Sequence, residues 1–247
     1  MQTCSIKELI QNYQSTVPIT EAELRNAISN ALRMGNLQII EKKTSWDESK
    51  VRILRPFLIN NSDDKISIVI SRPRLKELSL GGIENRNQQI DSIYCFREII
   101  TSANKILRIC SPFMQKNVLS EDAFPDLKQL IIDAFERNVN IKLLSRELFQ
   151  GRGGEIHWIV DIARNLGMEE KLTIVDYHFQ SDRGDILSST HAKLLIADYT
   201  MAYVGSAELR RNSLIANFEV GCLITGPAVI GISEAFDSMF SQGKVWK

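Results

Sequence analysis

The chain has 247 residues, with 30 Lys+Arg against 30 Asp+Glu, so its formal net charge is zero. That balance excludes a protein whose whole surface holds nucleic acid or anionic lipid by bulk positive charge, and leaves only a local patch for such a partner. Hydrophobic residues at 44% and charged residues at 24% are ordinary for a globular chain and exclude disorder. No apolar run reaches the ~18 residues of a membrane span.

Cys4, Cys95, Cys110 and Cys222 form no CxxC pair, and each reads as a small buried hydrophobe suited to a reducing compartment. The first residues lack the basic-then-apolar order of a signal peptide, so a soluble cytoplasmic protein is expected. Leu9, Ile10 and Tyr13 recur at helical spacing up to Pro18. Thr20 and Glu23 form a capping-box signature before Leu24, Ile28, Ala31 and Leu32, with Gly35 as the stop. Strand-like pieces at 37–40 and 51–54 follow. Residues 1–60 are therefore expected to form a small helical cap with a hairpin, an order that resembles part of a DNA-binding winged helix.

Residues 61–247 are expected to form the main domain. A turn at 60–64 leads to a strand at 65–71, a loop at 72–87 and an amphipathic helix at 88–103 carrying Ile90, Ile93, Phe96, Ile99 and Ile100. Strands at 105–110, 140–145 and 171–177 then alternate with helices at 126–138 and 155–166. This alternation predicts an α/β fold in which a mixed, largely parallel sheet is sandwiched by helices.

The chemistry concentrates at 189–226. Strand alternation over 190–197 puts His191, Lys193 and Leu195 on one face and Ala192, Leu194 and Ile196 on the other. An imidazole and an ammonium about 7 Å apart along a strand are poor core residues, because lysine is rarely buried without a partner. Asp198 begins a turn, 201–204 returns as a strand, and Gly205-Ser206 closes it. A further strand over 218–224 contains Glu219 and follows Asn217.

The pattern His191-x-Lys193-x4-Asp198-x6-Gly205-Ser206 resembles the HKD signature of the phospholipase D superfamily in every fixed position, and Asn217-x-Glu219 is similar to the downstream pair of its single-motif bacterial nucleases. Only one copy is present, since neither His157 nor His178 is followed by Lys two residues later. The resemblance implies a homodimer with the site at a two-fold axis, and a metal-independent endonuclease that needs no cofactor. One histidine must attack phosphorus while another protonates the leaving oxygen, which a single His191 cannot do alone. Lys193 would neutralise the non-bridging oxygens. The resemblance gives Glu219 the task of fixing the imidazole tautomer, Ser206 a place in the site floor, and Asp198 the bracing of the turn.

The superfamily pattern reads Gly-Ser-x-Asn, and Glu208 stands here in the position of that Asn. A carboxylate beside a phosphate repels it, so Glu208 must be protonated, turned away, or paired with Arg210, Arg211 or Lys193. Arg210 and Arg211 are candidates for a local basic rim, and Arg152, in a Gly-rich loop at 151–154 without the ending of a nucleotide-binding loop, is placed to contact a substrate backbone. Arg146 has a similar claim, with a plain surface charge as the alternative, and Gln180–Ser189 reads either as a plain connector or as a gate. Nucleic acid is the expected partner, DNA ahead of RNA. The chain is also similar to phospholipase-D-like proteins of DISARM-type phage-defence systems, which implies defence subunits as partners. Two alternatives stay open: a DNA-docking subunit with a degenerate site, and a lipid phosphodiesterase.

Overall fold

The computed structural model describes residues 3–12, 20–33, 37–53, 64–73 and 89–247. Tyr13, Pro18, Gly35, the side chain of Glu23, the turn at 60–63 and most of the loop at 72–87 lie outside the described set. The chain divides into two compact units, Met1–Ile59 and Asn60–Lys247.

In the first unit β1 (Thr3–Ser5) leads into α1 (Ile6–Gln11), then α2 (Glu21–Arg33), β2 (Leu37–Glu41) and β3 (Lys50–Ile53). Helix α1 starts at a capping box: Ser5 Oγ accepts from the Glu8 amide, and the Glu8 carboxylate accepts from the Ser5 amide. The strands form an antiparallel sheet in the order β1-β3-β2, and Ile6, Ile28, Ala31, Leu37 and Val51 make its core.

The second unit begins with β4 (Lys65–Ser71), β5 (Gln89–Asp91), α3 (Ser92–Ser102) and β6 (Ile106–Cys110). It continues with α4 (Leu127–Glu136), β7 (Asn140–Ser145), α5 (His157–Leu166) and β8 (Leu172–Asp176). A hairpin of β9 (His178–Gln180) and β10 (Ile186–Ser189) precedes β11 (Lys193–Ala197) and β12 (Met201–Gly205). Helix α6 (Arg211–Ile215), β13 (Glu219–Thr225), α7 (Ala228–Gln242) and β14 (Lys244–Trp246) complete the chain. Among the described residues, no helix is long and apolar enough to cross a membrane.

Nine of these strands form one mixed sheet in the order β14-β8-β7-β6-β11-β12-β13-β4-β5. The α/β class with a helix-flanked mixed sheet is the one the sequence predicts, but the parallel share is smaller than expected. Only β6–β7, β7–β8 and β4–β5 run parallel, while the ladders joining β8–β14, β6–β11, β11–β12, β12–β13 and β13–β4 are antiparallel. For β11 and β12 the reason is connection length, since their turn cannot accommodate the dozen or more residues of a parallel crossover. Strand β11 is buried on both faces: Leu195 joins the core under α3, α4 and α5, and Leu194 and Ile196 join the core under α7. That split keeps the expected alternation and leaves Lys193 at the strand's first position.

Candidate active site at the end of the central strands

The ladder registers gather the motif. Cys110 faces Leu194, Lys193 faces Gly205, and Gly205 faces Gly221, so His191, Lys193, Ser206 and Glu219 come to one end of the sheet. The strand starts at Lys193 rather than at 190, and His191 sits just before it, exposed. Lys193 Nζ donates to the His191 carbonyl at 3.0 Å and rests 3.3 Å from Nδ1 and 3.2 Å from Nε2, against the imidazole. A nucleophilic nitrogen and a full positive charge thus face solvent together, which is the pairing that attack on an anionic phosphodiester requires.

Because Thr190–Ala192 make no sheet ladder, side chains hold that segment instead. The Cys110 thiol donates to the Ala192 carbonyl at 3.1 Å and lies 3.5 Å from Thr190 Oγ1, which accepts from the Ala192 amide at 3.4 Å. The Thr190 amide is tied to the Tyr177 carbonyl at 3.1 Å. Burial pushes the Cys110 thiol up to about 11, an effect reduced by the Thr190 hydrogen bond and the charge of Lys193, so the sulfur stays a neutral donor. A buried thiol is legible here from the sequence, and its bond to the Ala192 carbonyl is not. The signal available was its place at the end of a strand one register step from Lys193.

Ser206 clasps the neighbouring strand: its hydroxyl accepts from the Val220 amide at 3.1 Å and donates to the Val220 carbonyl at 3.3 Å. The glycine before it is set by packing. A Cβ on Gly205 would stand 2.3 Å from the Tyr203 hydroxyl, and one on Gly221 would stand 2.4 Å from the Tyr203 ring. The ring therefore lies across both glycines, edge-on to Phe96, and its oxygen accepts from the Ala207 amide at 2.9 Å. Glu219 Oε1 accepts from Ser213 Oγ at 3.2 Å and from Asn217 Nδ2 at 3.0 Å. Asn217 acts on Glu219 directly, while His191 and Glu219 are not hydrogen-bonded to each other within the described chain.

Asp198 stands at the other end of β11, away from His191. Its carboxylate accepts from the amides of Asn104, Lys105 and Ile106 at 2.9–3.1 Å, and its own backbone takes a left-handed φ of 53°. Glu208 is 6% exposed. It accepts from the Phe113 amide at 3.1 Å and meets Arg210 Nη1 at 3.5 Å, so its carboxylate is turned inward and paired. Arg211 is engaged by Asp122 through a forked pair that leaves less of a basic rim than the sequence suggests. Arg152 is exposed on the loop after β7, at the sheet end that carries His191. Arg146 lies over the Phe113 ring at 4.5 Å and pairs with Glu147 at 3.1 Å. Among the described residues, no three His, Cys, Asp or Glu side chains form a metal-ligating group.

A helix-flanked mixed sheet with His, Lys, Gly-Ser and Asn-x-Glu gathered at one end defines the phospholipase D class of protein. The family model described as cardiolipin synthase, PLD-like domain, matches residues 96–243, more than half of the chain, and the chain belongs to this phospholipase D-like family. Similar solved structures include a phospholipase D family member, Nuc, from Salmonella typhimurium (16% identity, 75% of this chain and 99% of that one, TM-score 0.48). NucT from Helicobacter pylori is also similar (14% identity, 74% and 100%, TM-score 0.48). The phosphatidylserine synthase of Haemophilus influenzae Rd KW20 shares 13% identity over 94% of this chain and 49% of its own, with a TM-score of 0.52. A search of the curated proteins gives no match.

Proposed function

We propose that the protein is a metal-independent phosphodiesterase that works as a homodimer and cleaves nucleic acid, DNA ahead of RNA. The single observation carrying this reading is Lys193 Nζ held 3.2 Å from the exposed imidazole of His191, with one such pair per chain. His191 of one chain attacks phosphorus and forms a P–N bond as the P–O bond to the leaving oxygen breaks. His191 of the second chain gives that oxygen its proton, then takes a proton from the water that hydrolyses the phosphohistidine. Lys193 of each chain balances charge on the non-bridging oxygens. Glu219, held by Ser213 and Asn217, is the carboxylate available to the partner site or to a rearranged imidazole. The inward turn of Glu208 removes the repulsion that a carboxylate in the motif would bring, which favours a working site over a degenerate one.

A second reading has an observation of its own: the family model's description and the fold match to a phosphatidylserine synthase favour phosphatidyl transfer. One experiment tests both. Purified protein is assayed in EDTA on single- and double-stranded oligonucleotides and on phosphatidyl substrates, beside His191→Ala. Oligonucleotide cleavage by wild type alone, with an acid-labile phosphoprotein trapped during turnover, is the expected result. Lipid turnover without cleavage gives the second reading, and activity that survives His191→Ala removes both. A role in phage defence beside partner proteins is part of the proposal and is tested by pull-down from infected cells.

A further inference from the structure

Three arginines of the second unit, Arg97, Arg108 and Arg211, each close a fork on one aspartate through Nε and a terminal nitrogen, at Asp126, Asp237 and Asp122. Arg146 and Arg210 do not. Each meets a single carboxylate oxygen through a terminal nitrogen, Arg146 at Glu147 at 3.1 Å and Arg210 at Glu208 at 3.5 Å, the outer limit of a hydrogen bond. Each keeps its Nε buried and without a hydrogen-bond partner among the described residues. A guanidinium carries five donors in a rigid fork, and a buried donor left unpaired calls for a partner. Neither head is loose: the Arg146 side chain is 20% exposed and that of Arg210 29%.

Both stand at the sheet end that carries His191. Arg146 follows the last residue of β7, where the Ser145 hydroxyl donates to the Ser111 and Pro112 carbonyls. Asp176 fixes the turn after it by accepting from the Leu148 and Phe149 amides at 2.8 and 3.2 Å. Arg210 follows the Gly205-Ser206 turn, and the residue before it is tied to the same stretch: the Leu209 amide donates to Ser111 Oγ at 3.2 Å, and its carbonyl accepts from the Gln115 amide at 2.9 Å. Residues 111–113 thus link the two arginines. The Arg146 guanidinium lies over the Phe113 ring, and the Phe113 amide reaches Glu208, the partner of Arg210. That stretch runs on from Cys110, whose thiol holds Ala192 beside His191. Phe113 is three residues past Cys110, at most about 11 Å of chain, or roughly three nucleotide steps at ~3.4 Å each.

We propose that Arg146 and Arg210 hold the phosphates that flank the scissile one, so that the site takes a polynucleotide strand and not a lone phosphodiester. The inference rests on the nucleic-acid reading above and names what that site holds. His191 and Lys193 act on one phosphate, and a lone diester offers nothing to two further guanidiniums with open donors. A flanking phosphate gives each of them a charge-assisted, forked partner, in competition with a carboxylate that holds it by one oxygen. Glu147 and Glu208 keep the resting cluster neutral, as a chain with zero net charge and a local binding patch requires. Contacts of this kind set the register of a strand and carry no base preference.

The test uses the full chain and short oligonucleotides with one uncharged methylphosphonate next to the scored bond, on one side or the other, product lengths reporting the bond cut. The variants are Arg146→Gln and Arg210→Gln, which keep the apolar stem, with thermal melts to confirm folding. Wild type is expected to lose ~10-fold or more in kcat/KM for each methylphosphonate, as befits a charged hydrogen bond. Each variant is expected to lose as much on the all-phosphate strand, to ignore the methylphosphonate on its own side, and to feel the other in full. Its log–log salt dependence should become shallower by about 0.7. Arg146→Lys and Arg210→Lys, which keep the charge but lose the fork, are expected in between and stand in for a Gln variant that does not fold. Variants that feel both methylphosphonates as wild type does overturn the assignment and leave the nuclease reading standing, and so does wild type that ignores both. Wild type that cleaves no oligonucleotide overturns the nuclease reading and this inference with it.

Discussion

The two ends of β11 hold the same sequence motif and are built on opposite plans. At the Asp198 end nearly every polar group is engaged: three amides of residues 104–106 reach the carboxylate, and the buried Arg108 donates to the Asp198 carbonyl at 2.8 Å and to Asp237 at 2.7 Å. Tyr199 meets Arg108 both as an acceptor at 3.0 Å and through its ring at 4.7 Å. At the His191 end the imidazole is open to solvent and the segment carrying it hangs from a thiol and a hydroxyl. One end spends its hydrogen bonds on the fold, and the other leaves an imidazole open to solvent beside the Lys193 ammonium. The letters of a motif need not share a task.

The largest expected effect separates the ends outright. His191→Ala is expected to lower cleavage by at least ~10³-fold while leaving the thermal midpoint unchanged, measured by single-turnover cleavage and melting. Asp198→Ala is expected to do the reverse. It should cost about 2–3 kcal/mol in urea unfolding, through lost charged hydrogen bonds and a left-handed backbone now carried by Ala, with cleavage within a few-fold of wild type. Asp198→Asn should lose less, since Asn tolerates that conformation and retains an acceptor.

Gly205→Ala is expected to cost about 1–3 kcal/mol by forcing a methyl group against Tyr203, again read by urea unfolding. Protonation should pull the two ends apart at opposite limits of pH. Burial pushes Asp237 up, but hydrogen bonds from Arg108 and Lys142 outweigh it and hold the carboxyl below its ordinary range. Its contribution is therefore present above the unfolded-state pKa near ~4 and lost as pH falls through the lower folded value. Cys110 is raised to about 11, so its contribution is complete below about pH 8.5 and lost as pH rises through 11. Urea midpoints against pH should fall on both flanks, and Cys110→Ala should make only the alkaline one shallower, since burial also raises Cys95 and Tyr203. The smallest effect falls on Arg211→Ala, whose solvent-exposed pair with Asp122 should leave the urea midpoint essentially unchanged.

Much of this was legible in the sequence because its signals are local. The alternation around Lys193 and Leu195 fixes which faces of β11 are buried, and the spacing from His191 to Ser206 places both on one sheet end after a single turn. What escaped depends on partners far along the chain. Nothing near Glu208 announces the amide of Phe113, 95 residues away, that holds its carboxylate inward. The hairpin at 178–189 escaped for a different reason. Its strands are three and four residues long, and the irregularity at Leu187 breaks the period of two by which a strand is recognised. The parallel share of the sheet was overread because strand–helix alternation in the middle of the chain says nothing of how later hairpins fill in.

The position of β11 also sets an order of events during synthesis. Strand β6 pairs with β7 on one side and on the other with β11, where Cys110 meets Leu194. The parallel half of the sheet can therefore form on the ribosome while one edge of β6 still waits for a strand not yet made. An unpaired edge of this kind recruits other chains. Arg108 on that strand, with its charge awaiting Asp237 from α7, keeps the waiting edge from being wholly apolar until the last helix arrives.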